Sequence, residues 1–383
     1  MSKSPHKSGA SRHRPYHLGV YPVLLAIFGC RSPALVDAPP AQVVEVGVDE
    51  GTGNVLGIQA WMDPTAWSSA DAFDLRLRDF LDAAVDQDLL RPDTVVVLPE
   101  HIATWLVVVD EPNNVISAPT VDKALRRMIP RHLARFLSLR SDAPAEDRNQ
   151  YAVFALKAEE IAATWVEVTT SLARDYEVTI VAGSALLPGP ELIDGELTVE
   201  PGLPLQNVSF VVGADGQIMP ELTVEAFPDD DEQDVVEPGS AASLAATSTP
   251  LGMVSVLLGD DAWYPTAWAA MSFDAPRVAV GSHYTSPDGA WSEPWQGYTG
   301  FEAPSDVEPD DVRSLTLAEA DLRYGLPGRL VDEGLAHGLS VPLRGHIWDL
   351  GSDGAVVLVH QGQVTTGPLV DGPVLANLWL PLR

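Results

Sequence analysis

From about residue 54 onward, short apolar runs alternate with stretches in which apolar residues recur every three or four positions. The runs "NVLGIQAW" (54–61), "DTVVVLP" (93–99), "EVTIVAGSALL" (177–187) and "NVSFVVG" (207–213) are short, bounded by turn residues and rich in β-branched side chains, so they predict strands. The same holds for "LGMVSVLLG" (251–259), "RVAVGS" (277–282), "GAVVLVHQG" (354–362) and "GPVLANLWL" (372–380). Helical periodicity covers 69–87, 120–139 with an interruption at Pro130, 150–175, 262–273 and 317–336. "ADGQ" at 214–217 is a tight-turn signal, which makes 207–219 a hairpin. Strands alternating with helices predict one α/β domain over 54–383. The acidic or proline-rich segments 228–238 and 302–312 read as loops on its surface.

The beginning of the chain has another pattern. "MSKSPHKSGASRHR" carries Lys3, Lys7, Arg12 and Arg14 without an acid, and "LGVYPVLLAIFGC" follows as an apolar run too short to span a bilayer. This is the order of a secretory signal over 1–29, and "AIFGC" resembles the lipobox of bacterial lipoproteins, in which the cysteine is lipidated. That resemblance implies lipid on Cys30, a membrane as partner and an extracytoplasmic location on a bacterial membrane, the outer one in a Gram-negative cell. "RSPALVDAPPAQ" opens an expected tether over 30–53.

Composition narrows the picture. Cys30 is the only cysteine among 383 residues, so disulfides within the chain are excluded, and once the residue is lipidated so is a thiolate metal site. The chain holds 54 Asp+Glu against 23 Lys+Arg, for a net charge of −31. It lacks the basic footprint of a nucleic-acid binder. Nothing in the pattern implies a cofactor or a metal.

Four segments and the tail, in order, resemble the carbon–nitrogen hydrolase (nitrilase) superfamily. "VLGIQAWM" is similar to its opening strand, with Gln59 at the family's glutamine, and "DTVVVLPEH" to the strand that delivers its catalytic glutamate, here Glu100. "SLARDYEVTIVAGSALL" and "NVSFVVGADGQI" resemble the central helix, strand and hairpin, "VSVLLGDDAWYP" the nucleophile segment, and "GLSVPLRGHIWDLGSDGAVVL" to "GPVLANLW" the closing strands. The resemblance implies a four-layer α-β-β-α sandwich in which a glutamate, a lysine and a cysteine converge, and it allows an oligomer. Thiolate attacks the amide or nitrile carbon, carboxylate moves protons and ammonium holds the oxyanion.

Two of the three are missing here. Gly259 stands at the cysteine position and Thr223 at the lysine position, and 207–258 contains no lysine or arginine within which an alignment could slip. His101, Trp105, Asp260, Asp261, Trp263, Tyr264 and His283 are candidates to line the pocket, each with ordinary packing as the competing reading. For Asp260 and Asp261 that competing reading is a cap on the following helix. "DKALRRMIPRHLARFLSLR" gathers Lys123, Arg126, Arg127, Arg131, Arg135 and Arg140, either to face anionic lipid or to pair with surface acids. The reading is a lipid-anchored, non-catalytic binding or scaffold module with an unidentified protein or small-molecule ligand. The alternative is a divergent amidase or acyltransferase pairing Glu100 with a nucleophile such as Asp260.

Overall fold

The structure is a computed structural model that describes residues 33–271 and 277–382. Cys30 and the basic–apolar leader lie outside the described residues. Two sheets form the centre. The first runs in the order Gln42–Val46, Val374–Trp379, Asn54–Gln59, Val95–Val97, Thr179–Val181, Leu205–Val212 and Ile218–Val224, with Ala185–Pro188 also paired to Leu205–Val212. The second runs Ala246–Thr249, Gly252–Leu258, Val278–His283, His337–Pro342, Val357–His360 and Gln363–Thr366.

Alternation along each strand creates the layers, because successive side chains point to opposite faces. Val55, Val95, Val97, Val181 and Val211 meet Val254, Val256, Val280, Leu339 and Val341 between the sheets. Gly57 shares that face, where a Cβ would run into Val341 and Leu339, so the sheets touch there. The neighbouring Leu56, Ile58, Val96, Ile180 and Phe210 face the other way, onto the helices Ala70–Asp86 and Arg148–Tyr176. On the far side, Leu257, Ala279 and Val359 pack against Trp268 and Met271 of the helix Pro265–Met271 and Leu326 and Leu330 of Leu326–Asp332. The result is the four-layer α-β-β-α sandwich. Burial of each large side chain in it contributes about 1.5–3 kcal/mol.

Several boundaries differ from the sequence reading for local reasons. The segment 177–187 is two strands, because Gly183 turns the chain with φ +69°. The stretch 317–336 is two helices that meet at Gly325, the second with proline in its first turn. Pro130 divides its helix as expected, into Val121–Met128 and Leu133–Ser141 around a 3₁₀ turn. The expected tether 30–53 needs correction. Gln42–Val46 pairs in parallel with Val374–Trp379, so the folded domain begins before residue 54. As an edge strand with mostly exposed side chains, it carries little apolar signal.

The basic stretch is largely engaged by the protein itself. Arg126 pairs with Asp122, Arg131 with Glu111 and Arg135 with Glu159, while Arg127 and Arg140 donate to Asn114 O and Asn149 Oδ1. Among the described residues no helix is long and apolar enough to cross a membrane.

Candidate functional site

The strand ends of both sheets open into one cavity of about 390 Å³. From the first sheet, the strand Val95–Val97 runs on through Leu98 and Pro99 to Glu100, which is buried. From the second, Gly252–Leu258 ends at Gly259, and Val278–His283 beside it ends at His283. Ser282 Oγ donates to Leu98 O at 2.8 Å and ties the two strand ends together. Glu100 and Gly259 therefore meet. A Cβ placed on Gly259 would stand 2.8 Å from Glu100 Oε1.

It would also overlap Glu225 Oε1. Glu225 follows the strand Ile218–Val224, and its backbone N–H continues the ladder to Asn207 O at 2.9 Å. Its carboxylate is fully buried and fills the space that a side chain at 259 would need. Asn207 Nδ2 donates to both acids, at 2.7 Å to Glu100 Oε1 and 3.0 Å to Glu225 Oε2. Glu225 Oε1 has no hydrogen-bond partner. Thr223, two residues earlier, pairs across the ladder with Ser209 and does not line the cavity.

His101 has a left-handed backbone, φ +55°, an uncommon conformation for a residue with a Cβ. Its N–H donates to Ser184 Oγ, its Nδ1 lies 3.0 Å from Thr104 Oγ1, and its Nε2 lies 3.1 Å from Glu232 Oε1. Glu232 comes from a short helical turn, Asp230–Gln233, closed by a reciprocal capping box with Asp229. Trp105, Asp260, Trp263 and His283 line the cavity with His101. His283 Nδ1 meets Ser340 Oγ at 3.0 Å, and its ring stacks near Trp291.

Two expected lining residues are elsewhere. Asp261 is buried and caps backbone, though not that of the helix after it: its Oδ1 accepts from Ala226 N at 2.8 Å and Phe227 N at 3.0 Å. It thereby fixes the turn that carries Glu225. Tyr264 stacks on Phe227 with ring centres 4.0 Å apart and does not line the cavity.

The electrostatics are one-sided. Burial pushes Glu100 up to about 8, with Glu232 and Asp260 adding to the rise against the opposing pull of His101 and Asn207. Burial, then Glu232 and Glu100, raise Glu225 well above the usual carboxylate range. Asp260 is pushed to about 8 by burial and by Asp229 and Glu232, and Asp321 to about 7 by burial. For His101, burial opposes the charged form, yet the facing Glu100 and Glu232 outweigh it and hold the imidazole above its ordinary value. His283 is held down to about 4 by burial. Among the described residues no lysine or arginine lines the cavity. Lys157 is buried but does not line it, donating instead to Val109 O and paired with Glu111 and Glu160, and Lys123 sits on the basic helix. Such a floor stores protons and attracts cations. Apart from the His101 imidazole, it offers no charged donor for a developing oxyanion.

Glu225, Glu232, Asp229 and Asp321 were not singled out in the sequence, where each looks like a surface acid. Asn207 opens a strand and reads there as a register residue.

No family model and no curated relative matches the chain. Solved structures do resemble it. An amidase from Nesterenkonia sp. is 12% identical with a TM-score of 0.51, over 92% of this chain and 94% of that one. A variant of the Nesterenkonia AN1 amidase from the nitrilase superfamily is 13% identical with a TM-score of 0.52, over 86% and 92%. A carbon–nitrogen hydrolase from Helicobacter pylori G27 is 14% identical with a TM-score of 0.51, over 85% and 88%. At these identities the likeness is one of fold. The sandwich is of the nitrilase type.

Proposed function

We propose that this chain is a nitrilase-fold protein without thiol catalysis, held at a bacterial membrane by lipid on Cys30, whose acidic cavity binds a ligand. One observation carries the reading. At the position where the resemblance puts a nucleophile, Gly259 has φ +47° and Glu225 occupies the space of a side chain. The carboxylate has replaced the thiol in volume without replacing it in chemistry. A protonated carboxyl is a poor nucleophile, and among the described residues the site has neither lysine nor arginine to support acyl transfer.

The reading in which Asp260 attacks and Glu100 moves the proton has less support. Asp260 is raised to about 8 and so is mostly protonated at neutral pH. The test is turnover by the full chain, offered a panel of amides, nitriles and acyl donors beside Glu100→Gln. We expect none above the uncatalysed rate. Turnover that disappears in Glu100→Gln overturns the reading and promotes the enzyme. The anchor is tested separately by metabolic labelling with a clickable fatty acid, which should tag the wild type and not Cys30→Ser; equal labelling of both removes the anchor from the proposal.

A further inference from the structure

Buried carboxylates are expensive unless something positive or a proton accompanies them. On the cavity floor Glu100, His101 and Glu232 each turn one ligand atom inward, and the three atoms lie within 4.8 Å of one another. Around a first-row divalent ion, ligands at about 2.1 Å stand about 3–4 Å apart, so this spread closes with small side-chain movements. A separate observation points the same way. Glu225, fully buried and from a different strand, aims an unpartnered Oε1 at the same spot beside Glu100.

We propose that Glu100, His101 and Glu232, with Glu225 as a fourth donor, form a binding site for one divalent transition-metal ion of the zinc or manganese class. The donor set argues for that class. An imidazole nitrogen among carboxylate oxygens suits zinc and manganese better than magnesium or calcium, which take oxygen donors alone. The imidazole is already oriented for the task. A Nδ1–H donated to Thr104 Oγ1 leaves Nε2 to the cavity, the arrangement that outer partners impose on metal-bound histidines. The backbone supports it, because the left-handed turn at His101 directs the ring inward and Ser184 Oγ holds that turn through His101 N. An ion between His101 Nε2 and Glu232 Oε1 takes the place of the proton that joins them across 3.1 Å. Asp260 and Ser340 remain on the walls to orient whatever completes the coordination.

The inference stands on ligand geometry and is independent of the absence of thiol catalysis. Its test uses the full chain, stripped with chelator and titrated calorimetrically with ZnCl2, MnCl2 and MgCl2. The expected result is one ion per chain, zinc and manganese binding at least about tenfold tighter than magnesium, and a rise in the thermal midpoint. His101→Asn and Glu232→Gln should each weaken zinc by about tenfold or more, while Asp230→Asn, an exposed neighbour outside the cavity, should leave it unchanged. Cobalt substituted into the wild type gives a readout that needs no variant, a visible spectrum of a low-symmetry site with nitrogen among its donors. Many weak sites that ignore His101→Asn and Glu232→Gln would mean ions held by surface charge, and the proposal fails. It fails equally if ethylammonium fills the cavity and zinc does not compete. Turnover assays run with and without zinc separate the two readings: zinc binding accompanied by turnover removes the non-catalytic reading alone, and no binding removes this one alone.

Discussion

The molecule buries carboxylates in two places and treats them in opposite ways. Behind the first sheet, Glu111 is surrounded by basic groups: His132 Nε2 at 2.9 Å, Lys157 Nζ at 3.6 Å and Arg131 at 3.7 Å. In the cavity, Glu100 and Glu225 share one asparagine amide, and the nearest basic group is His101. The fold can thus supply counter-ions to a buried acid where the acid only holds structure. The lack of lysine and arginine on the cavity floor, among the described residues, is a property of that site and not of an acidic chain in general. What differs is whether the charge is satisfied from within or left for a visitor.

The comparison can be broken most sharply at Glu111. Glu111→Ala takes from the buried Lys157 one of its two carboxylates and from His132 its partner, and we expect a loss of about 1–3 kcal/mol in denaturant unfolding. Glu225→Gln removes a carboxylate that has no cation, and it should be neutral or stabilising in the same assay. Similar losses in the two variants would mean that the clusters are alike after all.

The next effect is pH. Asp260, Asp261 and Asp321 have folded pKa values of about 8, 7 and 7 against an ordinary 3.8, raised first of all by burial. The native state therefore holds protons that the unfolded chain has released, and stability falls as pH rises through the folded values. His283 and His337, held near 4 by burial, act in the opposite sense below about pH 6.5. The clean window is pH 6.5 to 9, in which the thermal midpoint should drop and Asp321→Asn should flatten the drop. A midpoint that climbs across that window sinks the account of the cavity as an uncompensated acid cluster.

Gly259→Cys inserts a side chain between the two glutamates at a left-handed position, for about 1–3 kcal/mol of destabilisation and no amidase activity. The fairer reconstruction pairs it with Glu225→Lys rather than Thr223→Lys, since Glu225 is the residue in the cavity. At best a trace of acyl-enzyme should be visible by intact mass. The smallest effect belongs to Arg126→Ala, which removes an exposed pair with Asp122 and should cost under about 0.5 kcal/mol.

The legible parts of the sequence were those with burial on both faces. Val55 and its neighbours Leu56 and Ile58 form one apolar run because one sheet face packs on a sheet and the other on helices. Gln42–Val46 escaped notice because an edge strand exposes most of its side chains. Glu100 and Gly259 could be placed from the resemblance, and they meet. Glu225 could not, since an acid directly after an amphipathic strand reads as a turn residue until Asp261 is seen folding that turn inward. Tyr264 was misplaced for a related reason: spacing along the chain cannot say that its ring goes to Phe227. The metal donors His101 and Glu232 are 131 residues apart, so no motif spacing joins them.

The first sheet also fixes an order of events. Its strand Val374–Trp379 lies between Gln42–Val46 and Asn54–Gln59, parallel to the one and antiparallel to the other. Asn377 and Trp379 both donate to Glu45, and Asn377 is 332 residues away from it. A ribosome delivers the two flanking strands about 300 residues before the one between them. Throughout that interval the first of these strands lacks the neighbour it pairs with, and the sheet can close only when the later strand is threaded between them. Contacts of such separation make folding slow. Whatever tends the nascent chain has to keep this apolar gap covered until Val374–Trp379 arrives.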